Sequence, residues 1–232
     1  MIVTLLFGVG VCVLFHHILF YTILAVNWFR WKNPVFVSIF ARNLVCGVYA
    51  GGMFYEGTRL LYKEPCCVYN THVLTTSMLG YIIGDCVLMY EFPELNNSEN
   101  RVHHALTTVL LVYSWFAPGQ GYITLHFAGT GEFSTLFLCV ADVFKNIPPL
   151  REEYGWLNTW SRVGFVVSFL SIRVLLWSYV LYSTVVENTY IKIFLCGLML
   201  LQYYWGGLIL KHSWKICHKK IVVPNPKIDL SK

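Results

Sequence analysis

Apolar runs of roughly twenty residues, separated by short polar breaks, repeat from one end of the chain to the other, and that spacing matches helices crossing a membrane's hydrocarbon core. The pattern predicts about seven crossings. The first is Ile2–Val26, closed by Arg30, Lys32 and Pro34. It is too long for a signal peptide and has no basic n-region, so it reads as a retained anchor. The following runs fall at 35–55, 69–90, 103–117, 121–144, 162–186 and 189–210. Polar loops are predicted at 91–101 and 146–161, a turn at Pro118-Gly119, and a hydrophilic tail from Lys211.

The runs are not purely apolar. Arg42, Asp85, His103, His104, His126, Glu132, Asp142 and Arg173 all lie within them or at their ends. Each ionisable group at mid-bilayer costs about 2.5–3.5 kcal/mol on insertion scales, so these residues must face inward, pair, or sit near an interface. Adjacent residues on a helix point about 100° apart, so one of His103-His104 can face a cavity while the other supports it. Tyr81 and Asp85 share a helix face, as do His104 and Thr108. Asp142 and Lys145 have the spacing of a local ion pair. His16-His17, with no acidic neighbour in its own run, reads as structural. Glycines 129, 131, 206 and 207 read as sites of close helix packing. If the third, fourth and fifth spans are neighbours, the polar groups converge around a central cavity.

Composition agrees: 56% of residues are hydrophobic, 12% charged and 17% aromatic, with mean hydropathy +0.57. The net charge of +5 follows topology and is no nucleic-acid signature. Of the seventeen Lys and Arg, twelve fall on one side of a seven-span arrangement and three on the other, with Arg42 and Arg173 in spans. The positive-inside rule then puts the C-terminus on the cytoplasmic side. The sequon at Asn96-Asn97-Ser98 falls on that side and is expected to stay unmodified. The eight cysteines show no ligand spacing, so no metal site and no disulfide framework are expected. Cys66-Cys67 reads as free thiols or acylation sites at a membrane edge. No tandem repeat is present.

Four stretches resemble the TLC-domain family, the lipid-handling group that includes ceramide synthases. They are Tyr81-Ile82-Ile83-Gly84-Asp85, Arg101-Val102-His103-His104-Ala105, Glu132-Phe133-Ser134-Thr135 and Leu201-Gln202-Tyr203-Tyr204-Trp205. The resemblance covers roughly residues 35–214, leaving 1–34 as an additional N-terminal helix and 215–232 as a tail. It implies an all-α polytopic bundle around a lipid cavity. Ceramide synthases carry a denser acidic motif after the histidines, whereas here Leu136 and Phe137 follow Glu132-Phe133-Ser134-Thr135. That departure is more similar to branches concerned with membrane lipid composition.

Three functions compete. The first is lipid homeostasis through binding an acyl chain or lipid. The second is acyl transfer, with acyl-CoA as co-substrate and no resident cofactor. There His103 and His104 would be catalytic, supported by Tyr81, Asp85, His126, Glu132, Ser134 and Asp142. The third is a non-catalytic subunit held in a protein complex through the C-terminal tail. Membrane lipids are the expected partners in the first two. The resemblance implies the endoplasmic reticulum; the mitochondrial inner membrane and plasma membrane are alternatives.

Overall fold

A computed structural model describes residues 2–26, 33–62, 68–96, 98–116, 121–183 and 189–221. These residues are almost entirely helical: α1 (Ile2–Val26), α2 (Pro34–Tyr62), α3 (Val68–Glu91), α4 (Ser98–Phe116), α5 (Gly121–Asn146), α6 (Pro148–Glu153), α7 (Gly155–Ser168), α8 (Trp177–Ser183) and α9 (Thr189–Ile221). A π-helical segment, Phe169–Leu176, joins α7 to α8. Among the described residues, six helical stretches are long and apolar enough to cross a membrane: α1, α2, α3, α5, the composite of α7 to α8, and α9. The remaining expected span, α4, has 19 residues and so is about 28 Å long, close to a bilayer core's thickness. It is less apolar because its first two turns carry Glu99, Arg101, His103 and His104. The chain is therefore a multi-pass membrane protein.

Boundaries differ from the sequence reading where polar ends are stabilised locally. Helix α2 runs past residue 55, and an i,i+3 ion pair between Arg59 and Glu56 (2.6 Å) supports its last turns. The 91–101 loop contains a single 3₁₀ turn, Pro93–Leu95, and the first turn of α4. The 146–161 loop is mostly helical, formed by α6 and the start of α7, where exposed Tyr154, Trp156 and Trp160 suit a membrane interface. At the other end of that span Tyr179 and Tyr182 are exposed likewise, as is Tyr190 in the first turn of α9. Helix α9 continues beyond Leu210 to Ile221, so the tail begins as helix. Residues Asn97, Cys66, Cys67, Pro118, Gly119 and 222–232 lie outside the described residues.

Close packing runs along two seams of small residues. Helix α1 lies on α3, where a Cβ on Gly80 would sit 3.0 Å from Gly8 Cα and one on Gly84 would sit 2.8 Å from Cys12 Cβ. Helix α2 lies along α5, their longest contact, and a Cβ on Gly57 would meet Gly129 Cα at 2.7 Å. Without a hydrophobic drive between helices in lipid, such close approach supplies the dispersion contacts that hold spans together. Gly131 admits the Trp177 ring, whereas Gly207 has nothing within 4 Å and plays no packing part. Helix α4 touches α3, α5 and α9 only along short stretches.

Candidate functional site

The polar residues of the spans turn inward and meet in two tiers. The first is centred on Asp85 of α3, 1% exposed. Arg42 of α2 grips it with two parallel bonds, Nε to Oδ1 at 2.9 Å and Nη2 to Oδ2 at 2.7 Å. His104 Nε2 lies 2.7 Å from the same Oδ2. A carboxylate held by a guanidinium accepts hydrogen bonds, so His104 Nε2 carries the hydrogen and donates it. Its other ring nitrogen, Nδ1, is buried without a hydrogen-bond partner among the described residues. This tier lies six residues from the end of α3 at Glu91, or about 9 Å along the helix.

Tyr81, one turn before Asp85, stacks face to face on Tyr49 of α2 at 3.9 Å between centroids. His103 is half-buried with its ring 5.8 Å from that of His104, and it makes no hydrogen bond among the described residues. Its electrostatic neighbours are Arg173, His104 and Asp85, so it stands between the two tiers.

The second tier is centred on Arg173, in the π-helical segment and 7% exposed. Its Nε donates to Gly131 O (3.1 Å) and Ser134 Oγ (2.8 Å), and its Nη2 to Thr135 Oγ1 (3.0 Å), all on α5. The guanidinium lies 5.7 Å from the Phe169 ring centroid and 5.8 Å from that of Trp177. Glu132 is buried beside it without making an ion pair to it. A π-turn shifts the side chains that follow it around the axis, and such turns concentrate at functional sites.

Not every expected residue joins these tiers. His126 is buried one and a half turns from Glu132; its Nδ1 is 3.3 Å from Gly57 O and its Nε2 is unpartnered. Asp142 accepts from Asn43 of α2 (3.1 Å) and Asn146 (2.9 Å), so it ties α2 to α5 instead of pairing with Lys145, which is exposed. His17 does have an acidic partner, but on another helix: its Nε2 is 2.9 Å from Glu91 Oε1 of α3. The sequence offered Arg42 and Arg173 as partners for the buried carboxylates or as residues snorkelling to an interface, and gave Gln202 no site role. Both arginines are visible in it as charges in apolar runs, yet which partner each takes is not. Gln202, in the last of the motif stretches, is 1% exposed with its Oε1 unpartnered.

Among the described residues, no group of His, Cys, Asp and Glu is arranged to hold a metal ion. The arrangement supplies instead a hydrogen-bond acceptor, His104 Nδ1, and a buried cation, Arg173. Neither a curated protein nor a solved structure matches the chain. A family model does, that of the TLC domain, over residues 2–211, a stretch that takes in α1 as well as both tiers. The chain belongs to the TLC-domain family.

Proposed function

We propose that this TLC-domain protein acts in lipid homeostasis by binding an acyl chain or lipid among α3, α4 and α5. The observation that carries the reading is the unpartnered Nδ1 of His104 beside Asp85. A buried acceptor without a partner is costly, and a ligand hydroxyl or amide N–H would satisfy it. The short contacts that α4 makes with its neighbours support space for a chain there. The protein places its C-terminus on the cytoplasmic side, in keeping with the distribution of its cationic residues, and resides in the endoplasmic reticulum. Mass spectrometry of lipids co-purifying with wild-type protein and with His104→Ala tests the reading. The variant should lose the wild-type's specific lipid. Identical lipid profiles would overturn it.

Acyl transfer is the second reading, and the Asp85–His104 geometry favours it. The carboxylate orients the ring so that Nδ1 can take the proton of a lipid hydroxyl or amine as it attacks an acyl thioester. The ring then returns that proton to the departing thiolate. The depth of about 9 Å below the end of α3 suits a donor whose CoA stays in water. Acyl-CoA consumption by the purified protein, absent in His104→Ala, would establish it over binding alone.

A further inference from the structure

Arg173 is a buried cation that no carboxylate contacts directly among the described residues. It is buried, and it lies ten residues before the end of α8, deep within the composite span Gly155–Ser183. Its hydrogen-bond partners are a carbonyl and two hydroxyls, all neutral. Among the described residues no carboxylate comes within ion-pair distance of it. Asp85, the other buried carboxylate nearby, is already committed to Arg42 and His104. Neutral oxygens and aromatic faces reduce the cost of a buried cation, and Glu132 acts on it from beside it, but none of these places an anion in direct contact with the guanidinium. Arginine's fork presents five N–H groups, and its three hydrogen bonds use only Nε and Nη2, so Nη1 makes no hydrogen bond among the described residues. These bonds also fix the plane of the guanidinium, so it is preorganised for one more acceptor. In hydrocarbon, the available anion is that of an amphiphile.

We propose that Arg173 is the anion site for a lipid ligand, accepting the oxyanion of its headgroup as a fatty carboxylate or a phospholipid phosphate. Guanidinium binds both groups through planar, charge-assisted hydrogen bonds. The site is separate from the His104 contact proposed above and adds a charge requirement to it. Glu132, buried alongside, opposes the anion and weakens its binding without being the cation's partner.

The test uses full-length protein in neutral detergent, with radiolabelled oleate, dioleoyl phosphatidate and oleyl alcohol as probes, at a pH where the fatty acid is ionised. Wild-type protein should hold oleate or phosphatidate in preference to oleyl alcohol, and whichever binds identifies the source of the oxyanion. Arg173→Gln should lose about 10- to 100-fold in that affinity, the size of a lost hydrogen bond to a charged group. Arg173→Lys should recover part of it. Glu132→Gln, which keeps Arg173, should bind the anion more tightly, and it decides the matter if Arg173→Gln fails to fold. Equal binding of oleate, phosphatidate and oleyl alcohol would overturn the anion site and leave lipid binding standing. Binding of none of them would overturn both. Weaker anion binding in Glu132→Gln would also sink the anion site.

Discussion

Arg42 and Asn43, adjacent on α2, hold different helices: Arg42 reaches Asp85 of α3, and Asn43 reaches Asp142 of α5. Successive side chains diverge by about 100°, which lets one turn of α2 fasten both neighbours at the same depth. The two links differ in kind. One is a buried ion pair that also orients a histidine, and the other is a hydrogen bond at a half-buried aspartate.

Removing one partner of the ion pair should therefore cost more than weakening the asparagine link. Asp85→Asn removes the carboxylate charge that Arg42 and His104 share and should destabilise the protein by about 3–5 kcal/mol, the usual loss when a buried pair is broken. Asn43→Ala should cost about 1 kcal/mol. Thermal unfolding in detergent, followed by size-exclusion chromatography, ranks the two variants. An Asp85→Asn protein as stable as Asn43→Ala would contradict the pairing.

The glycine seam between α2 and α5 makes a steric prediction. Gly57→Ala drives a methyl into the Gly129 backbone, which no side-chain rotation relieves, so a loss of about 1–3 kcal/mol or more is expected. Gly52→Ala, in the same helix with nothing within 4 Å of its Cβ position, should be neutral or slightly stabilising. Comparing their melting temperatures checks the seam directly.

The two histidines should not be equivalent. His104→Ala removes the ring that Asp85 orients; in an acyl-transfer assay turnover should fall by about 10²–10⁴, the range for a lost general base. His103→Ala, whose ring makes no hydrogen bond among the described residues, should have a smaller effect. If the protein binds lipid without turnover, the same order should appear in the amount of lipid retained.

Much of this was legible in the sequence. Span positions followed from the length of apolar runs, and the inward-facing residues from the cost of charge in hydrocarbon. Asp85, His104 and Glu132 could be singled out as ionisable residues in apolar runs, and Ser134 through the resemblance that carries its stretch. Their partners could not. Arg42 and Asp85 are 43 residues apart, and nothing local distinguishes that pairing from one between Arg42 and Glu132. Nor does any pattern in Phe169–Leu176 announce a π-helical segment, where Arg173 and then Trp177 meet Gly131 of α5. Asp142 shows the opposite case: its spacing to Lys145 suggested a local pair, while α2 packing on α5 brought Asn43 within reach.

The cation distribution gives a topological prediction. A protease-cleavable tag at the C-terminus should be digested in sealed vesicles whose cytoplasmic face points outward. A protected tag would reverse the orientation proposed for every span.

The Arg42–Asp85 pair also bears on how the protein is made. During synthesis α2 leaves the ribosome before α3, so the Arg42 guanidinium enters without Asp85, and a cation at mid-bilayer costs about 2.5–3.5 kcal/mol. Asp85 arrives only with the next span, so insertion of α2 and α3 together as a hairpin would lower that cost. A lesion at Asp85 would then lower the yield of correctly inserted protein as well as the stability of the protein recovered.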